Sequence, residues 1–169
     1  MLILNATIAA VSAVAAALLA VAALHDIALR IIPNAIPLAL LCVGLLLRAH
    51  DGGILLGGAF ALVVFAGSFL CWRRGWMGGG DVKLLGATAL VVPPFEVGSF
   101  LVLTAQCGGL LALLYLLLSR TVRLPPPGRL GTCHLFARVL RAERWRICRG
   151  APLPYGFAIA VGGITLLLK

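Results

Sequence analysis

Hydrophobic residues along this chain form long, continuous runs that are separated by short polar stretches. The runs cover approximately residues 3–24, 34–47, 53–71, 82–92, 95–119 and 153–168. None alternates with the period of two that a transmembrane β-strand requires, and most approach the roughly 20 residues of a bilayer-spanning α-helix. The pattern therefore predicts an all-α integral membrane protein with about six transmembrane helices.

The fourth run is too short to cross a bilayer by itself. At 1.5 Å per residue, residues 82–92 extend about 17 Å, roughly half of a 30 Å hydrocarbon core. We therefore expect this helix either to begin earlier, within Gly78-Gly79-Gly80, or to continue beyond Pro93-Pro94.

The composition supports a lipid environment. Hydrophobic residues make up 62% of the chain and charged residues 11%, and the mean hydropathy is +1.12. A soluble domain has about 25% charged residues, so this chain has too few polar side chains to cover its surface in water. We find no internal repeat, and residues 1–169 are predicted to form a single membrane domain.

Basic residues predict the orientation of the helices. The chain has 14 Lys and Arg against 5 Asp and Glu, a formal net charge of +9. With both termini outside, 12 basic residues face the cytoplasm and only Arg48 and Lys169 face outward. The positive-inside rule therefore predicts that both termini lie outside. It also accounts for the positive charge without a nucleic-acid partner.

One long basic segment, at about residues 120–150, joins the fifth and sixth runs on the predicted cytoplasmic side. Residues 135–149 mix Arg with Leu, Val, Trp and Ile, a pattern typical of an amphipathic helix that binds anionic lipid. A solvated loop that only fixes the topology is the alternative, and the sequence leaves both open. The five cysteines form no C-x-x-C pair, so no disulfide framework, metal site or other cofactor is expected.

Two of the five acidic residues are candidates for catalysis. Asp51 fits a turn, Glu96 fits a helix N-terminus, and Glu143 fits an ion pair with the arginines around it. Asp26 and Asp81 remain, and the predicted topology brings both to the cytoplasmic face although 55 residues separate them. Acidic side chains at membrane depth are costly and are functional candidates for that reason.

Two carboxyl groups at close range can supply the acid and the base of a protease. They cannot both ionise, so the pair holds one shared proton. The ionised group can then activate water while the other protonates the scissile amide, as in aspartic proteases. Gly78-Gly79-Gly80 has no Cβ atoms and can adopt positive φ, so a substrate backbone could approach Asp81 closely.

Structural explanations for both aspartates also exist. Asp26 and Arg30 have the i,i+4 spacing of an ion pair on one helix. Asp81 precedes the fourth run, where aspartate is favoured as a helix N-cap. The individual residues do not decide between the catalytic pair and these structural roles.

The segments around the aspartates narrow the choice. Three segments stand out: Asp26-x-x-x-Arg30-x-Ile32-Pro33-Asn34, Gly78-Gly79-Gly80-Asp81-Val82-Lys83 and Leu153-Pro154-Tyr155-Gly156-Phe157-Ala158-Ile159-Ala160. In this order they resemble the first signature, the GxGD motif with its following basic residue, and the PYG-x-A-I-A segment of the type IV prepilin peptidases. The resemblance covers essentially the whole chain and includes the six-helix topology.

This resemblance implies an aspartic-type endopeptidase of the bacterial inner membrane, with Asp26 and Asp81 in the catalytic positions. The implied substrate is a prepilin or pilin-like protein, whose leader peptide is cut at the cytoplasmic face. The cysteine-rich segment associated with N-methylation is not found, so the chain resembles the short, peptidase-only members that serve tight-adherence (Flp-type) pili. The implied supporting residues are Arg30, Pro33, Asn34, Gly78, Gly80, Lys83, Pro154, Tyr155 and Gly156.

Three alternatives remain. A presenilin-like or signal-peptide-peptidase-like intramembrane protease shares the GxGD motif, but no Tyr precedes Asp26 and no Pro-Ala-Leu occurs in the sixth run. A small membrane transporter would predict inverted repeats with broken helices, and the sequence shows none. A non-enzymatic assembly protein would tolerate the replacement of both aspartates.

Overall fold

The structure of the chain is a computed structural model that describes residues 2–121 and 153–169. Within these ranges the backbone forms six α-helices, one short 3-10 helix and no β-strand, which confirms the predicted all-α fold. Residues 122–152 lie outside the described residues. They include most of the basic segment and its predicted amphipathic helix at 135–149. The helices are α1 (Leu2–Leu29), α2 (Ala35–His50), α3 (Ile54–Arg73), α4 (Gly79–Val91), the 3-10 helix (Pro94–Glu96), α5 (Val97–Thr121) and α6 (Tyr155–Leu167).

Three helices in the described part of the chain are long and apolar enough to cross a membrane. They are Thr7–Leu29, Ile54–Arg73 and Pro94–Arg120. Large hydrophobic side chains lie exposed on these helices, such as Leu55 at 90% exposure. Because lipid tails rather than water can cover such a surface, the structure is that of an all-α membrane protein. Helices α2 and α6 are apolar but shorter, with 16 and 13 residues.

The two shortest helices, α4 and α6, occupy the centre of the bundle. Helix α4 packs against α2, α3 and α6, and α6 packs in addition against α1 and α5. All residues of α4 from 84 to 91 are buried, as in a helix that protein surrounds on every side. Since other helices cover α4, its 13 residues need not match the thickness of the bilayer.

Helix α4 extends through its glycines and not through the prolines that follow it. It begins at Gly79 rather than at residue 82. It ends before Val92, whose ψ of 141° is the extended conformation that a following proline favours. Asp81 consequently lies in the first turn of α4.

Helix α1 also differs from the prediction at the end that carries its aspartate. It continues beyond residue 24 to Leu29, and Arg30, with a φ of 57°, ends it. Asp26 therefore lies in the last turn of α1, beyond the first apolar run.

Arg48 fixes the end of α4 that lies away from the aspartates. Its side chain is buried, and its Nη2 donates a hydrogen bond of 3.4 Å to the carbonyl oxygen of Val91. A cation near the last carbonyls of a helix complements their partial negative charge. Asp51 accompanies it, with its Oδ2 at 3.3 Å from Nη1 of Arg48, so this acidic residue has a structural partner.

Glycines let the helices of the core approach one another closely. A Cβ atom on Gly163 of α6 would lie 2.8 Å from Cγ2 of Thr88 on α4 and 2.9 Å from Cδ1 of Leu19 on α1. Real Cβ contacts are essentially never this short. Three helices therefore meet at Gly163 only because it has no side chain, as is typical of helix packing in membranes.

This packing predicts that Gly163→Ala lowers the free energy of unfolding by about 1–3 kcal/mol, the cost of an overpacked core. Gly109→Ala is the matched control, since no described atom lies within 4 Å of a Cβ atom at this site on α5. It should be neutral or slightly stabilising, because alanine is the better helix former. Thermal unfolding of both variants in detergent micelles measures the difference. Equal midpoints would contradict the assignment of Gly163 to a tight three-helix contact.

Candidate active site

Asp26 and Asp81 line one cavity at the end of the bundle where α1 ends and α4 begins. The cavity has a volume of about 280 Å³. Asp26 is buried, with 6% exposure, and Asp81 is half-buried. The two side chains that the predicted topology places on one face are therefore neighbours in space. The remaining lining residues are Arg30, Ile31, Ile32, Asn34, Gly78, Gly79, Gly80 and Lys83.

The first turn of α4 holds the carboxylate of Asp81 in place. Gly78 is the N-cap of α4, so Asp81 is the third residue of the helix, and its interpretation as the N-cap is wrong. The carboxylate accepts a hydrogen bond from the backbone N–H of Gly78, as a third residue does in a capping box. A Cβ atom on Gly78 would lie 2.9 Å from Oδ2 of Asp81. Any side chain at residue 78 would therefore displace the carboxylate.

The glycines at the start of α4 allow close packing and do not require positive φ. Gly78 has a φ of −70° and a ψ of 144°, which any residue can adopt, and Gly79 and Gly80 are helical. A Cβ atom on Gly79 would lie 3.3 Å from Nε1 of Trp72, and one on Gly80 would lie 3.4 Å from Cβ of Ile32. None of the three glycines uses the positive φ that is open to glycine, and they bring the backbone close to neighbouring side chains instead.

The third sequence motif contacts Asp26 directly. A Cβ atom on Gly156, in the first turn of α6, would lie 2.9 Å from Oδ2 of Asp26. Pro154 is fully buried and is the N-cap of α6. The ring of Tyr155 packs against α5, where a Cβ atom on Gly108 would lie 3.2 Å from Cζ of Tyr155. Pro154 and Tyr155 thus fix the start of α6, and Gly156 leaves the space that Asp26 fills.

The two carboxyl groups influence each other electrostatically. Asp81 lies in the first turn of α4, outside the three helices that are long and apolar enough to cross a membrane. Burial raises the pKa of Asp81 from its ordinary value of 3.8 to about 6, and the negative charge of Asp26 acts in the same direction. The hydrogen bond from Gly78 and the positive charge of Arg30 oppose part of this rise in pKa. The pair therefore retains a proton at a pH at which an exposed aspartate is fully ionised.

Arg30 connects this pair to α5. Arg30 lies just beyond the end of α1. Its backbone N–H donates a hydrogen bond of 3.0 Å to the carbonyl oxygen of Asp26. Its φ of 57° is uncommon for a residue other than glycine. Its Nη2 donates a hydrogen bond of 3.2 Å to Oη of Tyr115, and its guanidinium lies 5.9 Å from the centre of that ring. Arg30 therefore makes contacts with α5 that its i,i+4 spacing from Asp26 does not predict. Sequence reasoning missed Tyr115, whose hydroxyl in an otherwise apolar run was the available signal.

Lys83 and Asn34 form the rim of the cavity. Nζ of Lys83 donates a hydrogen bond of 3.0 Å to Oδ1 of Asn34, which joins α4 to the start of α2. Both residues are exposed. The positive charge of Lys83 thus lies at the edge of the cavity that holds the two carboxyl groups.

Most of the predicted supporting residues meet at the site. Pro33, Pro154 and Tyr155 do not line the cavity, whereas the others line it or contact Asp26. Pro33 instead starts α2, with its carbonyl oxygen accepting a hydrogen bond of 3.1 Å from the N–H of Ile36. Among residues 2–121 and 153–169, no group of three or more His, Cys, Asp and Glu side chains forms an arrangement that could hold a metal ion.

Comparison with known proteins identifies the family. The sequence model of the type IV leader peptidase family matches residues 13–113, which is more than half of the chain. The match includes Asp26 and Asp81 with the segments around them, while Gly156 lies beyond it. No curated protein and no solved structure matches the chain. By the extent of the family match, the chain belongs to the type IV leader peptidase family.

Proposed function

We propose that this peptidase is an aspartic-type endopeptidase that removes the leader peptide of a type IV or Flp-type prepilin. The observation that carries the proposal is the cavity shared by Asp26 and Asp81, in a chain of a leader peptidase family. A pair of carboxyl groups that holds one proton is the state that aspartic proteases use. The Flp-type substrate rests on the sequence resemblance described above.

In the proposed reaction, the singly protonated pair acts on both sides of the scissile peptide bond. The ionised carboxyl takes a proton from a water molecule, whose oxygen attacks the carbonyl carbon, and the protonated carboxyl donates to the carbonyl oxygen. When the tetrahedral intermediate collapses, the carboxyl that took the proton from water donates it to the leaving nitrogen, and the C–N bond breaks. A hydroxyl group of the intermediate gives its proton to the other carboxyl as the new carbonyl forms, so the pair again holds one proton.

Basic residues support cleavage at the cytoplasmic face of the bacterial inner membrane. Arg30 and Lys83 line the cavity, and Arg73 and Arg74 lie at the end of α3 that leads to it. The positive-inside rule assigns such a cluster to the cytoplasm. The basic segment at about residues 120–150 belongs to the same side, and we propose anionic lipid as its partner.

The alternative functions have less support. A presenilin-like protease would use a similar pair of aspartates, but the family that matches is one of leader peptidases. A transporter or an assembly protein would not require Asp26 and Asp81 to share one cavity. Neither function accounts for the match to a family of leader peptidases.

The proposal predicts that Asp26→Asn and Asp81→Asn each reduce the rate of leader cleavage by about 10³-fold or more. An amide preserves the size of the side chain but cannot share or relay the proton. Cleavage of a purified prepilin in liposomes measures the effect, and thermal unfolding verifies that each variant is folded. Glu96→Gln is the control, since Glu96 lies in the 3-10 helix after α4 and should retain activity near that of the wild type. A folded aspartate variant with nearly normal cleavage would contradict the proposal.

Arg30 is proposed to tune the protonation of the pair rather than to react. Its positive charge lowers the pKa of Asp81, and Tyr115 holds its guanidinium by a hydrogen bond and by ring contact. The strained backbone at Arg30 costs roughly 1–3 kcal/mol, so these contacts help to keep the residue in this conformation. The pH dependence of cleavage is the property that this role controls.

Replacing Arg30 should therefore shift the pH profile. Because Arg30→Gln removes a charge that lowers the pKa of Asp81, that pKa rises, and the profile of kcat/KM moves to higher pH by roughly half a pH unit. Tyr115→Phe should move it in the same direction by less, since the guanidinium keeps its charge but loses its hydrogen bond. Arg73→Gln, on the same side but away from the cavity, should leave the profile in place. A loss of activity at every pH without a shift would indicate that Arg30 is only structural.

A further inference from the structure

The cavity of the two aspartates has one apolar wall. Among the described residues that line the cavity, only Ile31 and Ile32 have hydrophobic side chains. Ile31 is 67% exposed, whereas Ile32 is half-buried and packs against the hydrophobic core of the bundle. Ile32 is therefore the residue through which the polar cavity adjoins the core.

The side chain of Ile32 lies between the first turns of α4 and α6. A Cβ atom on Gly80 of α4 would lie 3.6 Å from Cδ1 of Ile32, and a Cβ atom on Gly156 of α6 would lie 3.0 Å from the same methyl group. Gly80 directly precedes Asp81 in the chain. The Cβ position on Gly156 is also 2.9 Å from Oδ2 of Asp26. One methyl group thus lies against the backbone beside both aspartates.

The short stretch between α1 and α2 holds Ile32 in this position. Arg30 ends α1 with a φ of 57°, and Pro33 favours an extended backbone at the residue before it. The carbonyl oxygen of Pro33 accepts a hydrogen bond of 3.1 Å from the backbone N–H of Ile36, which ties the stretch to α2. Because Ile32 is β-branched, its side chain has few rotamers available. A stiff side chain on a backbone that is fixed at both ends is suited to act as a spacer.

We propose that Ile32 is a positioning residue of the carboxyl pair, whose side chain spaces the first turns of α4 and α6 and excludes water from that side of the two acids. The inference deepens the proposed function and rests on it, because the role has meaning only for a proteolytic pair. Ile32 takes no part in bond making or breaking. It acts through the surroundings of Asp26 and Asp81.

A polar group in place of this wall should lower the pKa of Asp81. Burial is the largest cause of the rise in that pKa to about 6, and water beside the carboxyl group favours its ionised form. The other titratable groups that line the cavity remain as they are, namely Asp26, Arg30 and Lys83. No described titratable side chain of α2, α3 or α6 lines it. The pair should then lose its proton at a lower pH, a shift opposite to that expected for Arg30→Gln.

Two variants of nearly equal shape separate this role from packing. Ile32→Val removes only the Cδ1 methyl group, and Ile32→Thr in addition replaces one methyl group with a hydroxyl. Ile54→Thr is the control, since Ile54 is 46% exposed at the start of α3 and does not line the cavity. For each variant, kcat/KM for cleavage of a prepilin is measured against pH, and thermal unfolding verifies the fold.

We expect Ile32→Thr to move the alkaline limb of the profile, where the pair loses its proton, to lower pH by roughly half a pH unit. Ile32→Val should move the limb by less, because the wall stays apolar, and Ile54→Thr should leave it in place. A folded Ile32→Thr variant whose profile does not shift would overturn the inference, even if its activity falls at every pH.

NMR of the aspartate carboxyl carbons gives a second measurement that does not depend on turnover. The aspartates are isotope-labelled, and the signal of Asp81 is assigned by its loss in Asp81→Asn. The midpoint of its titration should lie lower in Ile32→Thr than in the wild type, again by roughly half a pH unit. Equal midpoints in the two folded proteins would overturn the inference.

These measurements separate Ile32 from the catalytic pair. If Asp81→Asn still cuts a prepilin at nearly the wild-type rate, the proposed function fails, and the role of Ile32 fails with it. If Asp81→Asn is inactive while Ile32→Thr leaves the titration of Asp81 unchanged, the pair stands and Ile32 is only part of the core.

Discussion

The site depends on one unfavourable interaction, the repulsion between the carboxyl groups of Asp26 and Asp81. The last turn of α1 and the first turn of α4 hold both groups in one cavity of about 280 Å³. Burial and this repulsion raise the pKa of Asp81 to about 6, and the Gly78 hydrogen bond and the charge of Arg30 limit the rise. The retained proton that makes the pair costly is also what a proteolytic pair requires. Packing elsewhere must therefore hold the two helix ends together.

Glycines provide that packing at the positions where carboxylate and backbone meet. Side chains at Gly78 and Gly156 would each come within 2.9 Å of a carboxylate oxygen, of Asp81 and of Asp26 respectively. The PYG segment, which follows Asp26 by 130 residues in sequence, is thus in direct contact with it. The absence of a side chain at Gly78 and Gly156 is thus explained by the space that the two acids occupy.

The sequence predicted the helices, the cavity partners Asp26 and Asp81 and most of the residues around them, because apolar runs and rare acidic residues are strong signals in a membrane protein. It placed the end of α1 too early, since residues 25–29 look like part of a polar stretch between apolar runs but continue the helix to Leu29. It could not show that Gly78 packs on a carboxylate, or that Arg30 reaches Tyr115 from 85 residues away. Both are contacts between distant segments, which no local pattern encodes.

The central claim is that Asp26 and Asp81 act as one unit that holds one shared proton. The most direct test is the additivity of their replacement, with single-turnover cleavage of a prepilin measured for Asp26→Asn, Asp81→Asn and the double variant under one set of conditions. The double variant should be no slower than the slower single variant, because either replacement alone already destroys the unit. A double variant whose loss equals the product of the two single losses would contradict the claim, since the residues would then act independently.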